Sequence, residues 1–238
     1  MKKKNVKIFK IILLILTLIL IISTIIYLTP IMKNIATPNG KIEFKQKIDD
    51  AGIFGVLILF ALQIAQIFLI IFPGEPLEIM AGMCYGTVGG TIFIFVTVFI
   101  TTTILFYLVR KYGKKFIYQF FSKEKIDKIE KSKIFKNPQN IEKIFIILFL
   151  IPGTPKDLLV YIGGIFPVKP VRFILISTFA RFPSVISSTI AGDNLVQGNW
   201  QISIIAYTIT FVLTAIILIF ANKLDKNKLT QQAINTIK

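Results

Sequence analysis

Six long apolar stretches alternate with shorter polar segments along the chain. They comprise residues 8–27, 53–72, 87–109, 144–166, 171–191 and 202–221. A helix rises 1.5 Å per residue, so about 20 residues cross a hydrocarbon core about 30 Å thick. Each stretch has roughly that length, and the pattern therefore predicts an all-α integral membrane protein.

A Pro-Gly interruption marks two of these stretches. The turn-forming residues are Pro73, Gly74 and Pro76 after the second stretch, and Pro152, Gly153 and Pro155 within the fourth. Proline removes a backbone N–H and glycine relaxes the backbone, so both segments are predicted to turn inside the bilayer. Backbone broken at that depth must be buried in protein or line a wet cavity. The alternative interpretation is a tight loop at the membrane surface.

Basic residues are concentrated in a few segments. The chain carries 28 Lys and Arg against 12 Asp and Glu, a net charge of +16. Nearly all of this excess lies in the first ten residues, in residues 110–143 and in the tail after residue 221. Because cytoplasmic loops of membrane proteins are enriched in Lys and Arg, these segments and both termini are predicted to be cytoplasmic in a plasma-membrane protein.

This charge distribution constrains the number of membrane crossings. If all six stretches crossed, the basic segment 110–143 would lie outside. The conflict disappears if the two interrupted stretches enter and leave on the same side, as re-entrant hairpins. The sequence then predicts four transmembrane helices plus two re-entrant broken-helix hairpins. Residues 8–27 form an uncleaved anchor, since no small-x-small cleavage site follows them.

The two interruptions resemble each other. Both have the pattern Pro-Gly-x-Pro-x-acid, with the acids at Glu78 and Asp157. In the topology above, the first hairpin enters from outside and the second from the cytoplasm. Broken helices in two oppositely oriented halves are typical of an inverted repeat with a substrate site near the bilayer midplane. Half-helix N-termini meeting there can face an anion such as a lipid phosphate.

Charged residues in or beside these stretches are candidates for a substrate or ion pathway, because an unpaired charge inside a bilayer is costly. They are Glu75, Glu78, Lys156, Asp157 and Arg181. We expect Glu78 and Asp157 to face a shared cavity, where titration would let them carry protons. Arg181 is their expected partner, as a lipid-phosphate ligand or in a static buried ion pair. Glu75 and Lys156 lie nearer the turns and are expected to be more solvated.

Composition removes most enzyme classes. The chain has no histidine and a single cysteine, Cys84, which excludes histidine-based triads, histidine zinc sites and intrachain disulfides. No nucleophile–base pair or metal-ligand set is visible, so we expect no catalytic residues, no metal and no cofactor. With 54% hydrophobic residues and a mean hydropathy of +0.74, the positive charge reflects membrane topology rather than nucleic-acid binding.

The basic segment 110–143 also contains apolar residues at roughly helical spacing. They are Phe116, Phe120, Ile126, Ile129 and Ile134. This pattern is typical of an amphipathic helix on an anionic inner leaflet. A simple solvated linker fits equally well, and both interpretations stay open.

The two motifs resemble the DedA superfamily, in its SNARE-associated or VTT-domain branch. In the first half the similar residues run from Phe72 to Glu78, followed by Ala81-Gly82 and Tyr85-Gly86. In the second half they are 151–157, 161–164, 180–183 and Gly192. The similarity covers roughly residues 50–195. It divides the chain into an anchor and outer loop (1–50), a VTT/DedA-like domain (51–195), and a last transmembrane helix with a basic tail (196–238).

This resemblance implies a multi-pass membrane protein with two re-entrant loops that moves lipids between leaflets. The implied partners are membrane lipids with anionic head groups, such as a phospholipid or undecaprenyl phosphate, together with protons, and a homo-oligomer is compatible with it. Glu78, Asp157 and Arg181 would be functional. One departure is that many relatives carry an arginine just before the second motif, where this chain has Phe149-Leu150-Ile151.

Three functions are therefore considered. The leading hypothesis is a transporter or scramblase for an anionic lipid, which holds the phosphate between the two broken loops. The first alternative is a proton- or cation-coupled transporter of a small solute. The second is a non-transporting membrane scaffold, in which the charges only hold the helices together.

Overall fold

A computed structural model describes residues 38–69, 74–132, 135, 138–151 and 154–224. The regular structure in these ranges is helical and contains no strand. The helices are α1 (Pro38–Leu69), α2 (Glu75–Tyr112), α3 (Lys114–Ile117), α4 (Lys123–Lys131), α5 (Pro138–Leu150), α6 (Lys156–Gly163), α7 (Pro170–Phe179), α8 (Phe182–Gln197) and α9 (Trp200–Leu224). The predicted anchor at 8–27, the basic tail, Pro73, Pro152 and Gly153 lie outside the described residues.

Four helical segments among the described residues are long and apolar enough to cross a membrane. They are Asp50–Phe68, Glu75–Tyr112, Pro170–Gln197 and Trp200–Ile217. Their outward side chains are apolar, as for Phe54 (73% exposed) and Phe211 (62% exposed). An apolar outer surface is what lipid requires, and the prediction of an all-α, multi-pass membrane protein is confirmed at this level.

A kink at Gly86 divides α2 into two arms. A straight helix of 38 residues would extend for about 57 Å, far more than the hydrocarbon core. Gly86 has φ 70° and ψ 177°, a conformation that a residue with a Cβ rarely adopts. The short arm (residues 75–85) and the long arm (residues 87–112) therefore run in different directions.

The long arm of α2 lies antiparallel to α7 and α8. At one end the Thr91 and Thr189 hydroxyl oxygens are 2.8 Å apart, and at the other Arg110 Nη2 donates to the Val168 carbonyl at 2.8 Å. Between these ends the sequence pattern predicts one helix over 171–191, whereas the structure ends α7 at Phe179 and begins α8 at Phe182. Pro183 accounts for the break, since proline cannot donate to the helical ladder.

The basic segment after α2 packs on the protein rather than on a membrane surface. Ile126 and Ile129 in α4 are each 1% exposed. The rings of Phe116, Phe120 and Phe121 surround Tyr161 of α6, with ring centroids 5.2–6.1 Å away. The interpretation as an apolar face lying on the inner leaflet is therefore wrong for Ile126 and Ile129, because the protein already covers them, whereas Phe116 and Phe120 are only half-buried. Ile134 lies outside the described residues.

Candidate functional site

The chain segments that flank the two Pro-Gly motifs contact each other. Gln66, near the end of α1, donates from Nε2 to Asp157 Oδ2 at 2.8 Å. Tyr161 donates its hydroxyl to the carbonyl oxygen of Phe68 at 2.6 Å. The second of these bonds gives a partner to a carbonyl at the helix end, which would otherwise lack one. These bonds bring the two motif-bearing regions together, although they are far apart in sequence.

Asp157 and Arg181 form a buried ion pair. Arg181 Nη1 lies 3.1 Å from Asp157 Oδ1, and the two side chains are 5% and 13% exposed, respectively. Arg181 Nε also donates to the Ser177 carbonyl at 3.0 Å, and its guanidinium lies over the Phe149 ring at 5.3 Å. Arg181 is therefore paired with Asp157, one of the two acids predicted as its partners. Arg181 lies in the break between α7 and α8, and its Nη2 has no hydrogen-bond partner among the described residues.

Lys156 is buried, so the expectation that it is solvated is wrong. It is 8% exposed, and its Nζ donates to the hydroxyl of Ser184. Ser184 in turn donates to the Arg181 carbonyl at 3.1 Å. The reason is tertiary: Lys156 is the first residue of α6, and this first turn faces α8 rather than a membrane surface. Two cations, Lys156 and Arg181, are thus neighbours beside the second Pro-Gly interruption, which is called the second break below.

Glu78 supplies a second buried carboxyl group. It is 6% exposed and lies on the short arm of α2, where its neighbours are the hydroxyl of Ser188 and the charged groups of Lys156 and Arg181. Tyr207 of α9 reaches the same hydroxyl, with its own oxygen 3.4 Å from Ser188 Oγ. In the part of the chain that the structure describes, Glu78 Oε2 has no hydrogen-bond partner.

Two glycines allow Glu78 to approach α8. A Cβ on Gly82 would lie 2.2 Å from the carbonyl oxygen of Thr189, and one on Gly192 would lie 2.0 Å from that of Ile79. The backbones of the short arm and α8 are therefore in direct contact. Small residues allow this kind of close packing between membrane helices. The contact places Glu78 opposite the serine-rich side of α8.

The remaining predicted residues form the edges of the site. Gly74 is the N-cap of α2, and its carbonyl accepts the backbone N–H groups of Leu77 and Glu78, both at 3.1 Å. Pro76 stands in the first turn of α2 and Pro155 immediately precedes α6, where a missing N–H costs nothing. Glu75 is only half-buried and lies at the margin. Four of the five predicted charged residues are thus brought together.

The arrangement offers donors for an anion. Arg181 Nη2 has unused bonding capacity, Lys156 lies beside it, and the N-terminus of α6 adds the positive end of its dipole. In the described ranges no group of three His, Cys, Asp or Glu side chains is placed to hold a metal ion. The site therefore suits an anionic ligand with oxygen acceptors.

Comparison with known proteins identifies the family of the region that contains these residues. The VTT domain matches residues 72–194, just over half of the chain, including both motifs and Arg181. The chain belongs to the VTT-domain family, which is the DedA/SNARE-associated family. It is similar to the uncharacterized protein YqeD of Bacillus subtilis (strain 168), with 26% identity over 171 residues, covering 71% of this chain and 79% of that protein. No solved structure gives a significant match.

Several polar residues of this VTT domain and its surroundings were not predicted as site residues. They are Gln63, Gln66, Ser184, Ser188 and Tyr207. The two glutamines could have been predicted from the sequence, because they lie one helical turn apart in an otherwise apolar stretch. The two serines and Tyr207 could not have been predicted, because such residues are common in membrane helices. Their role follows only from the packing of α8 against its neighbours.

Proposed function

We propose that this VTT-domain protein moves an anionic lipid between membrane leaflets and binds the lipid phosphate at the junction of two re-entrant hairpins. The observation that carries the proposal is the buried cluster of Glu78, Lys156, Asp157 and Arg181, where the two motif regions meet. A charged group inside a membrane protein is costly and is commonly retained for a substrate or ion pathway.

Helix lengths support the second hairpin. α5 has 13 residues and α6 has eight, so they extend for about 20 Å and 12 Å, each shorter than the hydrocarbon core. The ring of Tyr161 in α6 contacts Phe116 and Phe120 of the basic segment that precedes α5. Both observations support a hairpin that leaves on the side from which it entered.

The first hairpin is supported by contacts at the opposite end of the bundle. The short arm of α2 ends at Gly86, and the next residue, Thr87, donates its backbone N–H and its hydroxyl to Asp193 Oδ2 at 2.9 and 2.8 Å. Asp193 begins the connection 193–200, which contains no Lys or Arg and lies outside in the predicted topology. Opposite entry of the two hairpins is the arrangement of an inverted repeat.

Cysteine labelling tests this topology in cells. On a Cys84→Ala background, single cysteines at Gln46 and Asn199 are expected to react with a membrane-impermeant reagent added outside. Cysteines at Lys125 and Lys169 are expected to react only after the cells are opened. Labelling of Lys125→Cys from outside would overturn the re-entrant arrangement and the inverted repeat.

Lipid movement is tested by reconstitution into liposomes that contain a fluorescent anionic phospholipid, followed by leaflet-selective quenching. The wild-type protein is expected to move the lipid, and Arg181→Lys to lose most of the activity, since lysine keeps the charge but not the guanidinium fork. Lys156→Met is expected to lose it as well. The matched controls are Arg172→Lys and Lys169→Met, whose side chains are exposed. A size-exclusion profile establishes that each variant folds.

A proton- or cation-coupled solute transporter is the second candidate. It is favoured by Glu78, whose Oε2 is buried without a hydrogen-bond partner among the described residues. If the wild-type protein moves no lipid but shows ion-dependent solute flux that Glu78→Gln abolishes, this second function replaces the first. If neither flux is detected in folded protein, both give way to a scaffold.

A further inference from the structure

An elongated groove opens on the outer surface of the helices beside the charged cluster. It has a volume of about 610 Å³ and lies between the short arm of α2, the end of α8 and the first half of α9. Its walls are mostly apolar and include Ile79, Leu195, Ile204, Phe211 and Val212. This volume is within the range of about 300–1,000 Å³ that is typical of ligand sites.

The position of the groove defines the chemistry of its occupant. α9 carries the candidate span Trp200–Ile217, and its outward side chains are apolar and exposed, including Ile205 (55%) and Phe211 (62%). Trp200 lies at one end of the groove, and tryptophan favours the boundary between head groups and hydrocarbon. A groove that runs from this boundary along a lipid-facing helix fits an alkyl chain.

The groove is also continuous with the charged site. Tyr207 forms part of its wall and points its hydroxyl inward to Ser188 Oγ, 3.4 Å away, beside Glu78. Ile79 forms another part of the wall and is the next residue after Glu78. Ile79 and Tyr207 therefore separate the apolar, lipid-facing groove from the buried charge of Glu78.

We propose that the groove is the acyl-chain subsite for a membrane phospholipid, separated by Tyr207 from the site that binds its phosphate. An amphiphile has the matching arrangement, with a long apolar chain next to a charged group. The inference rests on the proposed function, because it assigns the chain of the lipid whose head group the charged cluster receives. In this arrangement the chain stays in hydrocarbon surroundings while the head group passes through the protein.

Photo-crosslinking tests the subsite. The protein is reconstituted with an anionic phospholipid that carries a diazirine in its acyl chain, and labelled peptides are identified by mass spectrometry. We expect labels at Leu195, Tyr207 and Phe211. Ile204→Trp places a bulky side chain in the groove, whereas Ile205→Trp is the control, since Ile205 is equally exposed at 55% on the same helix but does not line the groove.

Ile204→Trp is expected to lower groove labelling about tenfold, because about two methylenes of the chain lose their site. Ile205→Trp is expected to leave the labelling unchanged. Lipid transport, measured on the same samples, is expected to fall with Ile204→Trp alone. Equal labelling of all exposed positions of α9 in both variants overturns the inference, because it indicates bulk lipid. Crosslinking of the groove to a second copy of the chain also overturns it.

The two proposals fail in different ways. If the wild-type protein moves lipid and Ile204→Trp moves it equally fast, the subsite is wrong and the proposed function stands. If groove labelling is specific but the wild-type protein moves no lipid, the proposed function is wrong. The second result also removes the transport role of the groove, although the chain-binding site itself is supported.

Discussion

The two Pro-Gly breaks carry the same sequence motif but differ in how their acidic residues are bonded. Asp157, at the second break, accepts from Arg181 at 3.1 Å and from Gln66 at 2.8 Å, so both of its oxygens are engaged. Glu78, at the equivalent position of the first break, has one oxygen without a partner among the described residues. From this difference we predict that Asp157 contributes more to stability than Glu78 does.

The two breaks also differ in how far the protein covers them. At the second break, α6 is covered by the aromatic residues of the basic segment through Tyr161. At the first break, the short arm of α2 borders the apolar groove through Ile79. The second break is thus enclosed by protein, whereas at the first break only Ile79 separates the short arm of α2 from the lipid-facing groove.

The largest expected effect comes from neutralising the two acids in turn. Asp157→Asn leaves Arg181 buried without its counter-charge, and we expect the free energy of unfolding to fall by about 3–5 kcal/mol. Glu78→Gln also takes a carboxylate away from the buried Lys156, but Glu78 makes no ion pair at hydrogen-bond distance and has one oxygen without a partner among the described residues. We therefore expect a smaller loss, of about 1–3 kcal/mol. Reversible unfolding of the protein in mixed micelles measures both values.

Glu142→Gln is the control for this pair, because it removes a carboxylate that is ion-paired to an exposed arginine, Arg172. Exposed pairs contribute about 0–1 kcal/mol, so little change is expected. A larger loss of stability for Glu78→Gln than for Asp157→Asn would contradict the assignment of the structural role to the second break.

The next effect concerns the contact that holds the first break against α8. Gly192→Ala places a Cβ 2.0 Å from the Ile79 carbonyl oxygen, so the two helices must separate. We expect destabilisation of about 1–3 kcal/mol, the range for overpacking, together with reduced lipid transport. Gly89→Ala is the control, since its new Cβ would meet only the Cβ of Tyr85, at 3.2 Å. Equal melting temperatures for the two variants would show that the helices separate without cost.

Some of this arrangement could be predicted from the sequence. Hydropathy is a property of each stretch by itself, so the helices and the membrane class followed from it. The pairing of Arg181 with an acid also followed, because a charge in an apolar stretch needs a partner wherever it lies. The opposite entry of the two hairpins stays a prediction. Short helices support the second hairpin, whereas the first is supported by contacts alone, since Asp50–Phe68 is long enough to cross a membrane.

Other features depend on packing and could not be predicted. Lys156 appeared to be solvated because its depth was judged from its distance to a turn, whereas the contact of α6 with α8 buries it. The break at Arg181 was missed because a proline near the start of a helix and one inside a helix look alike in a hydropathy pattern. The different bonding of Glu78 and Asp157 could not be predicted, because the two acids occupy the same position in the same motif.

A smaller effect concerns the aromatic ring that contacts Arg181. Phe149 lies under the Arg181 guanidinium, 5.3 Å from the ring centroid, and contributes a cation–π contact to the second break. Phe149→Leu is expected to cost about 1–2 kcal/mol more than Phe145→Leu, because both remove a buried ring but only the first removes the cation–π contact. The comparison is made by unfolding in the same micelles. Equal losses would mean that Arg181 is held by Asp157 and the backbone alone.

The smallest effect tests the internal fold of the basic segment that covers Tyr161. Tyr118 donates its hydroxyl to Asp127 at 2.6 Å, and this hydrogen bond, with a smaller contribution from burial, raises the pKa of Tyr118 to about 12. The ordinary tyrosine pKa is about 10, so the bond contributes fully below pH 10 and is lost as the pH rises through 12. Tyrosinate absorbance, taken as wild type minus Tyr118→Phe, isolates this titration. Asp127→Asn is expected to move its midpoint down towards 10, whereas an unchanged midpoint would show that the segment does not make this bond in the membrane-embedded protein.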